Sequence, residues 1–443
     1  MRFISILVLS LLGLHQAQGE TLTLSQYYQS LQDRSLERVE AESQLRIADI
    51  NVEEADSFYQ SRLSSNISRS RVEQGPEETF NTSYDITWEQ SLRTGTAINS
   101  RWSEENFGLF NQRNRSLTVS QSLWKNFLGK SNDLRQESIE LGLEASKSQI
   151  ERTKLQVCNQ AAQEYAEVML NQKLAKISKA RLKSSLELSK RIERLYKDNL
   201  VRKIDLLNTQ DSHLSNELLL HQAKATLNQG LVKLSASVGR GVSAVSDIPK
   251  VSESELTLTK TAIHPDVKAL QDTKASQQKT WEFSKIQSDL DVGAFISRQD
   301  SQSDISPTRQ ALIFGLQLSY DFNPAPKAEQ KRSFQAIAAS EERLAITKRN
   351  LEDRRTEITA EINDLRSFAS LLAKRKVLAG KKLKEAKRLL AILQIDLRDY
   401  IDIRDSVFQI DESIFRNRLS LFLLQHQLEL AAGSIPQNCK GYS

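Results

Sequence analysis

The chain has 443 residues, a formal net charge of +5, 6% aromatic residues, and only 15 glycines and 7 prolines. That length holds several small domains or one long architecture, and the composition suits long solvent-exposed helices. Basic residues are interleaved with acidic ones, as in Lys381-Lys382-Leu383-Lys384-Glu385, which describes a solvated helix face and argues against a nucleic-acid partner.

Residues 1–19 read as a signal peptide. Arg2 supplies the charged start, Phe3 to Leu14 an apolar core too short to span a bilayer, and Ala17-Gln18-Gly19 the cleavage site. No cysteine follows the cleavage site, so lipidation there is not expected. No later segment has eighteen consecutive apolar residues, so any membrane span must be built of strands.

Residues 23–60 read as amphipathic helix, and from Arg62 the period changes from helical to two. Strands are expected within 62–124. A weak one runs from Leu63 to Glu73, followed by a turn at Gly75-Pro76. Phe80, Thr82, Tyr84, Ile86 and Trp88 then alternate with polar residues, giving a two-faced strand. Thr94-Gly95-Thr96 is a turn signal, Ile98 to Trp102 a further candidate, 104–114 a polar loop, and Leu117 to Leu123 the last strand. A long helix over 129–197 follows, about 100 Å at 1.5 Å per residue. Asp198-Asn199 ends it, because Asn tolerates the left-handed conformation of a helix end. A second helix covers 203–238, closed by Gly239 and Gly241, and 242–262 is a Ser/Thr-rich linker.

The same order restarts at His264-Pro265-Asp266. Helix leads to strands within 290–322, with Ser306-Pro307 in their connecting loop. Leu312, Phe314, Leu316, Leu318, Tyr320 and Phe322 fall on one face and Gln317, Ser319 and Asp321 on the other. Helices over 327–393 and 399–432 follow, with a tail over 434–443. The chain thus reads as two copies of helix, strands, long helix, turn and helix, over 20–241 and 263–433. The helices carry coiled-coil spacing: Ile358, Ile362, Leu365, Ala369 and Leu372 form one seam. Val407, Ile414, Leu421 and Leu428 form another, with Asn417 interrupting its second position. That Asn either sets register or is solvated.

Cys158 sits among Ala161, Ala162 and Tyr165, where a small buried residue is the expectation. Pairing with Cys439 in an oxidising compartment is the alternative. The histidines His15, His213, His221, His264 and His426 are dispersed. His213 and His221 are eight apart, unlike a helical zinc pair. With no nucleophile–base cluster and no Gly-rich phosphate loop, an enzyme, a cofactor and a bound metal are not expected.

A few amphipathic strands cannot close a barrel alone, so those of several copies must join. Together with the strand-to-helix junction Ser120-Gln121-Ser122-Leu123-Trp124, the restart at His264-Pro265-Asp266 and the two helix turns, this resembles the outer membrane efflux protein family, the TolC-like channels. The resemblance covers nearly all of the mature chain. It implies a fold that is mainly α with a membrane β-barrel portion: a homotrimer whose chains share a twelve-stranded barrel, two strands per repeat, and an α-helical tunnel. It implies a passive conduit of a tripartite efflux or type I secretion system in the outer membrane of a Gram-negative bacterium, extending into the periplasm. A periplasmic adaptor and an inner-membrane pump of the RND, ABC or MFS type would be its partners. Leu312, Phe314, Leu316, Leu318, Tyr320, Tyr84, Ile86 and Trp88 would face outer membrane lipid.

The segment Tyr400-Ile401-Asp402-Ile403-Arg404-Asp405 is similar to the family's periplasmic entrance, so Asp402 and Asp405 would form carboxylate rings at a gate. Arg404 between them would neutralise the ring or point away. Arg398 and Asp205 match the family's latch, although Leu393 stands where the family has a tyrosine. Asn199, Leu200, Asp396 and Leu397 would be adaptor-docking tips, with Asn199 and Asp396 in the places of glycines. The competing reading is an exported trimeric coiled-coil stalk or adhesin-like protein without a conduit. Such a protein needs no apolar-out strand.

Overall fold

The computed structural model describes residues 20–74, 77–106, 110–247, 263–287, 290–320, 325–436 and 439. The signal-peptide reading and the ends of some predicted strands, including Asp321 and Phe322, lie outside them. Elements run in the order β1 (Glu20–Leu22), α1 (Leu24–Arg34), α2 (Leu36–Ser57), β2 (Arg62–Gln74), β3 (Glu77–Ser91), β4 (Thr96–Asn106), β5 (Asn111–Ser122), α3 (Lys130–Lys197) and α4 (Lys203–Val238). They continue with β6 (Val242–Val245), α5 (Pro265–Gln287), β7 (Asp291–Ser303), β8 (Ser306–Ser319), α6 (Ala325–Ala391) and α7 (Leu397–Ala431). The chain divides into two compact units.

One unit comprises residues 41–150 and 265–348. It holds a six-stranded sheet in the order β2-β3-β4-β5-β7-β8, antiparallel throughout. The first half of the chain therefore carries four strands, at the four candidate segments of the sequence, where the resemblance implied two. The 104–114 loop is also corrected: Glu104 to Asn106 and Asn111 to Asn114 are ladder residues of β4 and β5. Their charges hid the strand, because Arg113 pairs with Glu104 across it (3.0 Å). Ser306 and Pro307 are likewise strand, and the turn is at Asp304 and Ile305. Pro307 is tolerated because β8 is an edge strand.

Gly95, in the β3–β4 turn, lies against the 3₁₀ turn Phe127–Gly129 that precedes α3. A Cβ on Gly95 would lie 2.0 Å from the Asn126 carbonyl, and one on Gly129 2.1 Å from that of Arg93. Only glycine allows that strand turn to pack on the entry to the long helix.

The other unit comprises residues 1–40, 151–264 and 349–443. Thr23 caps α1 in a reciprocal pair with Gln26. The expected single helix over 23–60 is two helices, broken at extended Ser35, whose hydroxyl accepts from Arg38 N. β1 and β6 form a parallel pair, covered by α3: the Tyr165 hydroxyl donates to the Leu22 carbonyl (2.9 Å). Gln172 bonds both the N–H and the carbonyl of Val245. A core of Leu22, Tyr27, Val157, Ala161, Tyr165, Leu234, Phe415 and Phe422 surrounds this pair. Cys158 is in this core, as its neighbours suggested, but it is not a free thiol: it forms a disulfide with Cys439, 281 residues away.

Ile358 and Ile362 pack against Leu421, Leu424 and Leu428, the expected seam between α6 and α7. Asn417 is buried, and its Nδ2 donates to the Leu365 carbonyl (3.0 Å). The interrupting residue therefore ties α7 to one position along α6, the register role rather than a solvated one.

Candidate functional site

Two surfaces bear on function, one in each unit. The first is a face of the six-stranded sheet. Directly paired residues in antiparallel strands point to the same side, so the registers trace that face across the sheet. One row runs Leu63, Trp88, Ser100, Leu117, Arg298, Leu312. The next contains Ile98, Val119, Ile296 and Phe314. Tyr84, Ile86 and Trp88 thus share a side with Leu312, Phe314, Leu316 and Leu318. Phe314 is 75% and Leu316 70% exposed, so this apolar side is bare in the single chain. Its charged members include two pairs, Arg113 with Glu104 and Arg298 with Asp300, together with Arg115 and with Arg69, whose guanidinium lies over the Phe80 ring. The opposite side is polar: Ser68 meets Ser83, Thr118 meets Ser297, and Arg101 is paired with Asp85. Tyr320 follows β8 and is exposed.

The second surface is the pair of tight turns α3–α4 and α6–α7. The two share one construction. Asn199 (φ 58) and Leu393 (φ 60) take the left-handed conformation. The next N–H, of Leu200 or Gln394, reaches back to the carbonyl of Leu195 or Leu389 (2.9 Å each), a Schellman closure. Two residues later an extended cap, Arg202 or Asp396, opens the following helix. The Asp396 carboxylate accepts from Arg398 N (2.7 Å), and that of Asp205 from Arg202 N (3.1 Å). Leu188, Ile192, Ala386, Leu390, Leu397 and Tyr400 form the apolar cluster beneath. Burial pushes the Tyr400 phenol above its ordinary pKa.

The sequence-derived site residues separate on this frame. Asn199, Leu200 and Asp396 are exposed. Leu397 is 8% exposed and belongs to the cluster, whereas Ile392 and Leu393 are the exposed apolar side chains of that turn. The position requiring a left-handed residue is Leu393, not Asp396, which is an N-cap with φ −63°. Asp205 is ion-paired with Arg202 (3.3 Å) and not, within the chain, with Arg398, which is exposed. Asp402 is exposed, whereas Asp405 is bound by Arg404. Sequence reading missed the burial of Arg404, which is 2% exposed and also reaches Ser212 on α4 (3.4 Å). Its place one residue before Asp405 gave no signal of that.

No protein-family model matches this sequence, and no curated protein sequence matches it. Solved structures do. The outer membrane protein VceC from Vibrio cholerae aligns over 93% of this chain and 96% of its own, with 13% identity and a TM-score of 0.73. CusC, described for folding and transmembrane channel formation, aligns over 95% of both chains, with 13% identity and a TM-score of 0.72. The CmeC outer membrane channel of Campylobacter jejuni covers 95% of this chain with 86% of its own, at 12% identity and a TM-score of 0.70. A likeness so extended along the chain, at so low an identity, is one of architecture: the chain has the fold of the outer membrane channels to which its sequence bears a TolC-like resemblance.

Proposed function

We propose that the chain is the outer membrane channel of a tripartite efflux or type I secretion system, a passive conduit rather than an enzyme. It lies in the outer membrane of a Gram-negative bacterium and extends into the periplasm. The observation that carries this is the sheet's bare apolar side together with its two unpartnered edges. β2 and β8 end the strand order, and open edges cannot stand in lipid. Identical copies joined β8 to β2 close the sheet, with the apolar side outward to lipid and the Ser-rich side lining the lumen. As a homotrimer, three chains of six strands close eighteen, a wider barrel than the twelve strands the resemblance implies. A coiled-coil stalk gives no reason for such a sheet.

The helical turns form the periplasmic entrance in this reading, opened by an adaptor acting with an inner-membrane pump. Asn199 and Leu200, with Ile392 and Leu393 in place of Leu397, are the docking surface, beside Asp396. Asp402 supplies the free carboxylate ring and Asp405 a neutralised one. Arg398 latches to Asp205 of a neighbouring copy, competing with Arg202. The test is conductance of the purified oligomer in planar bilayers. Cation-selective channels, with divalent block weakened by Asp402→Ala, are expected. A folded oligomer that forms no channels overturns the proposal.

A further inference from the structure

Cys158 on α3, His426 on α7 and Cys439 converge in the large core of their unit. Their exposures are 0%, 3% and 1%. The two sulfurs and a ring nitrogen of His426 lie within 4.8 Å of one another, and His426 Nε2 is 3.3 Å from Cys158 Sγ. His426 Nδ1 makes no hydrogen bond, and Phe422 covers the ring with centroids 6.2 Å apart. Nε2, not the unbonded Nδ1, is the nitrogen beside the sulfur. The place of the imidazole beside both cysteines gives it a second use.

We propose that Cys158, Cys439 and His426 form a buried metal site for Zn²⁺ when the disulfide is open. A dithiol reductant supplies two electrons and two protons, the S–S bond breaks to two thiols, and the dithiol leaves as its own disulfide. Zn²⁺ then displaces both thiol protons and binds two thiolates and the neutral imidazole nitrogen. The donor set is that of zinc: sulfur and nitrogen, borderline-soft. The charges cancel, two thiolates against one dication, which a dry core requires. At zinc distances of about 2.3 Å to sulfur and about 2.0 Å to nitrogen, ligand atoms stand about 3.5 Å apart. The separation of His426 Nε2 from Cys158 Sγ, 3.3 Å, is already close to that. The cysteine Cα atoms, 6.1 Å apart, let side-chain rotation supply the rest. Metal and disulfide are thus alternative fastenings of the segment around Cys439 to α3, the metal serving before oxidation and protecting the thiols from it.

The test uses the full-length protein, reduced with a phosphine, desalted anaerobically and titrated with Co²⁺ and then Zn²⁺ against a chromophoric chelator. Reduced protein should take up one metal per chain, with a thiolate-to-cobalt charge-transfer band and the intense d–d bands of a low-coordinate ion. Its Zn²⁺ affinity should exceed that of the oxidised protein at least 100-fold. Cys439→Ser should lose the charge-transfer intensity, and His426→Gln should weaken affinity at least tenfold while keeping the thiolate band. Equal affinity of reduced and oxidised protein, or a His426→Gln variant that binds as tightly as the parent, overturns the proposal.

Discussion

Arg404 and Asp405 are neighbours in sequence and partners in space: the guanidinium, fully buried against α4, meets the Asp405 carboxylate at 2.9 Å. The carboxylate at this position is therefore not free. Asp405→Ala leaves a buried guanidinium with Ser212 as its remaining partner. It should lower stability by about 3 kcal/mol, the lower end of such losses because Asp405 is partly exposed. Arg404→Met removes the buried charge, is tolerated better, and frees Asp405. Divalent block of the channel should then strengthen. Thermal denaturation in detergent and block titrations separate the two effects, and equal melting of both variants argues against the pair.

Leu316 and Gln317 are consecutive in β8 and lie on opposite sides of the sheet, facing Ala294 and Gly293 in the ladder. Leu316→Lys places a charge on the apolar side, which the proposed barrel turns to lipid, and should cost about 2–4 kcal/mol near the bilayer midplane. Gln317→Lys adds the same charge to the polar side and should leave assembly intact. The yield of heat-modifiable oligomer in outer membranes distinguishes them. Equal yields contradict the assignment of sides.

How far the sequence could be read depended on how each element records itself. The helix over 203–238 was legible to the residue, because it ends at Gly239 and begins past a recognisable Asp198-Asn199 turn. The strand face Leu312 to Leu318 was legible from the recurrence of large apolar residues at every second position, despite Ile313 on the other side. The inner halves of β4 and β5 were also legible, but their outer ends were not, because they carry Glu104, Arg113 and Arg115, and cross-strand charge pairs look like a loop when read singly. At the helix tips the residue types were visible but their directions were not. Leu397 and Arg404 point into the α-helical packing, and no local pattern distinguishes an inward arginine from a solvated one. The disulfide joins residues 281 apart, so the sequence could only leave it open.

Asp272 on α5 is held above the usual carboxylate pKa, chiefly by burial and secondarily by Glu144, with Lys268 opposing. Its Oδ2 has no hydrogen-bond partner. With the folded pKa raised, the folded state holds the proton more tightly than the unfolded one. Stability therefore falls as pH rises through the window above the ordinary value of 3.8, and the full penalty persists at neutral pH. Asp272→Asn should raise the melting temperature at pH 7 and lose that advantage as pH approaches 4. A pH-independent difference would assign the effect to packing instead.

Leu393 is the clearest case of a strained tip residue. Its φ of 60° is that of the preceding turn's Asn199 at 58°, but leucine lacks the short polar side chain that eases this conformation. The left-handed backbone costs about 1–2 kcal/mol for such a residue, while glycine gives back about 0.5–1 kcal/mol in chain entropy. Leu393→Gly should accordingly stabilise the turn by up to about 1.5 kcal/mol, whereas Leu393→Val, β-branched, should destabilise it. Because Leu393 is also an exposed apolar side chain at the proposed docking surface, the glycine variant should melt higher yet complement efflux less well. Paired melting curves and drug-susceptibility assays read the two properties separately. A glycine variant that is both more stable and fully active places adaptor contact elsewhere on the tip.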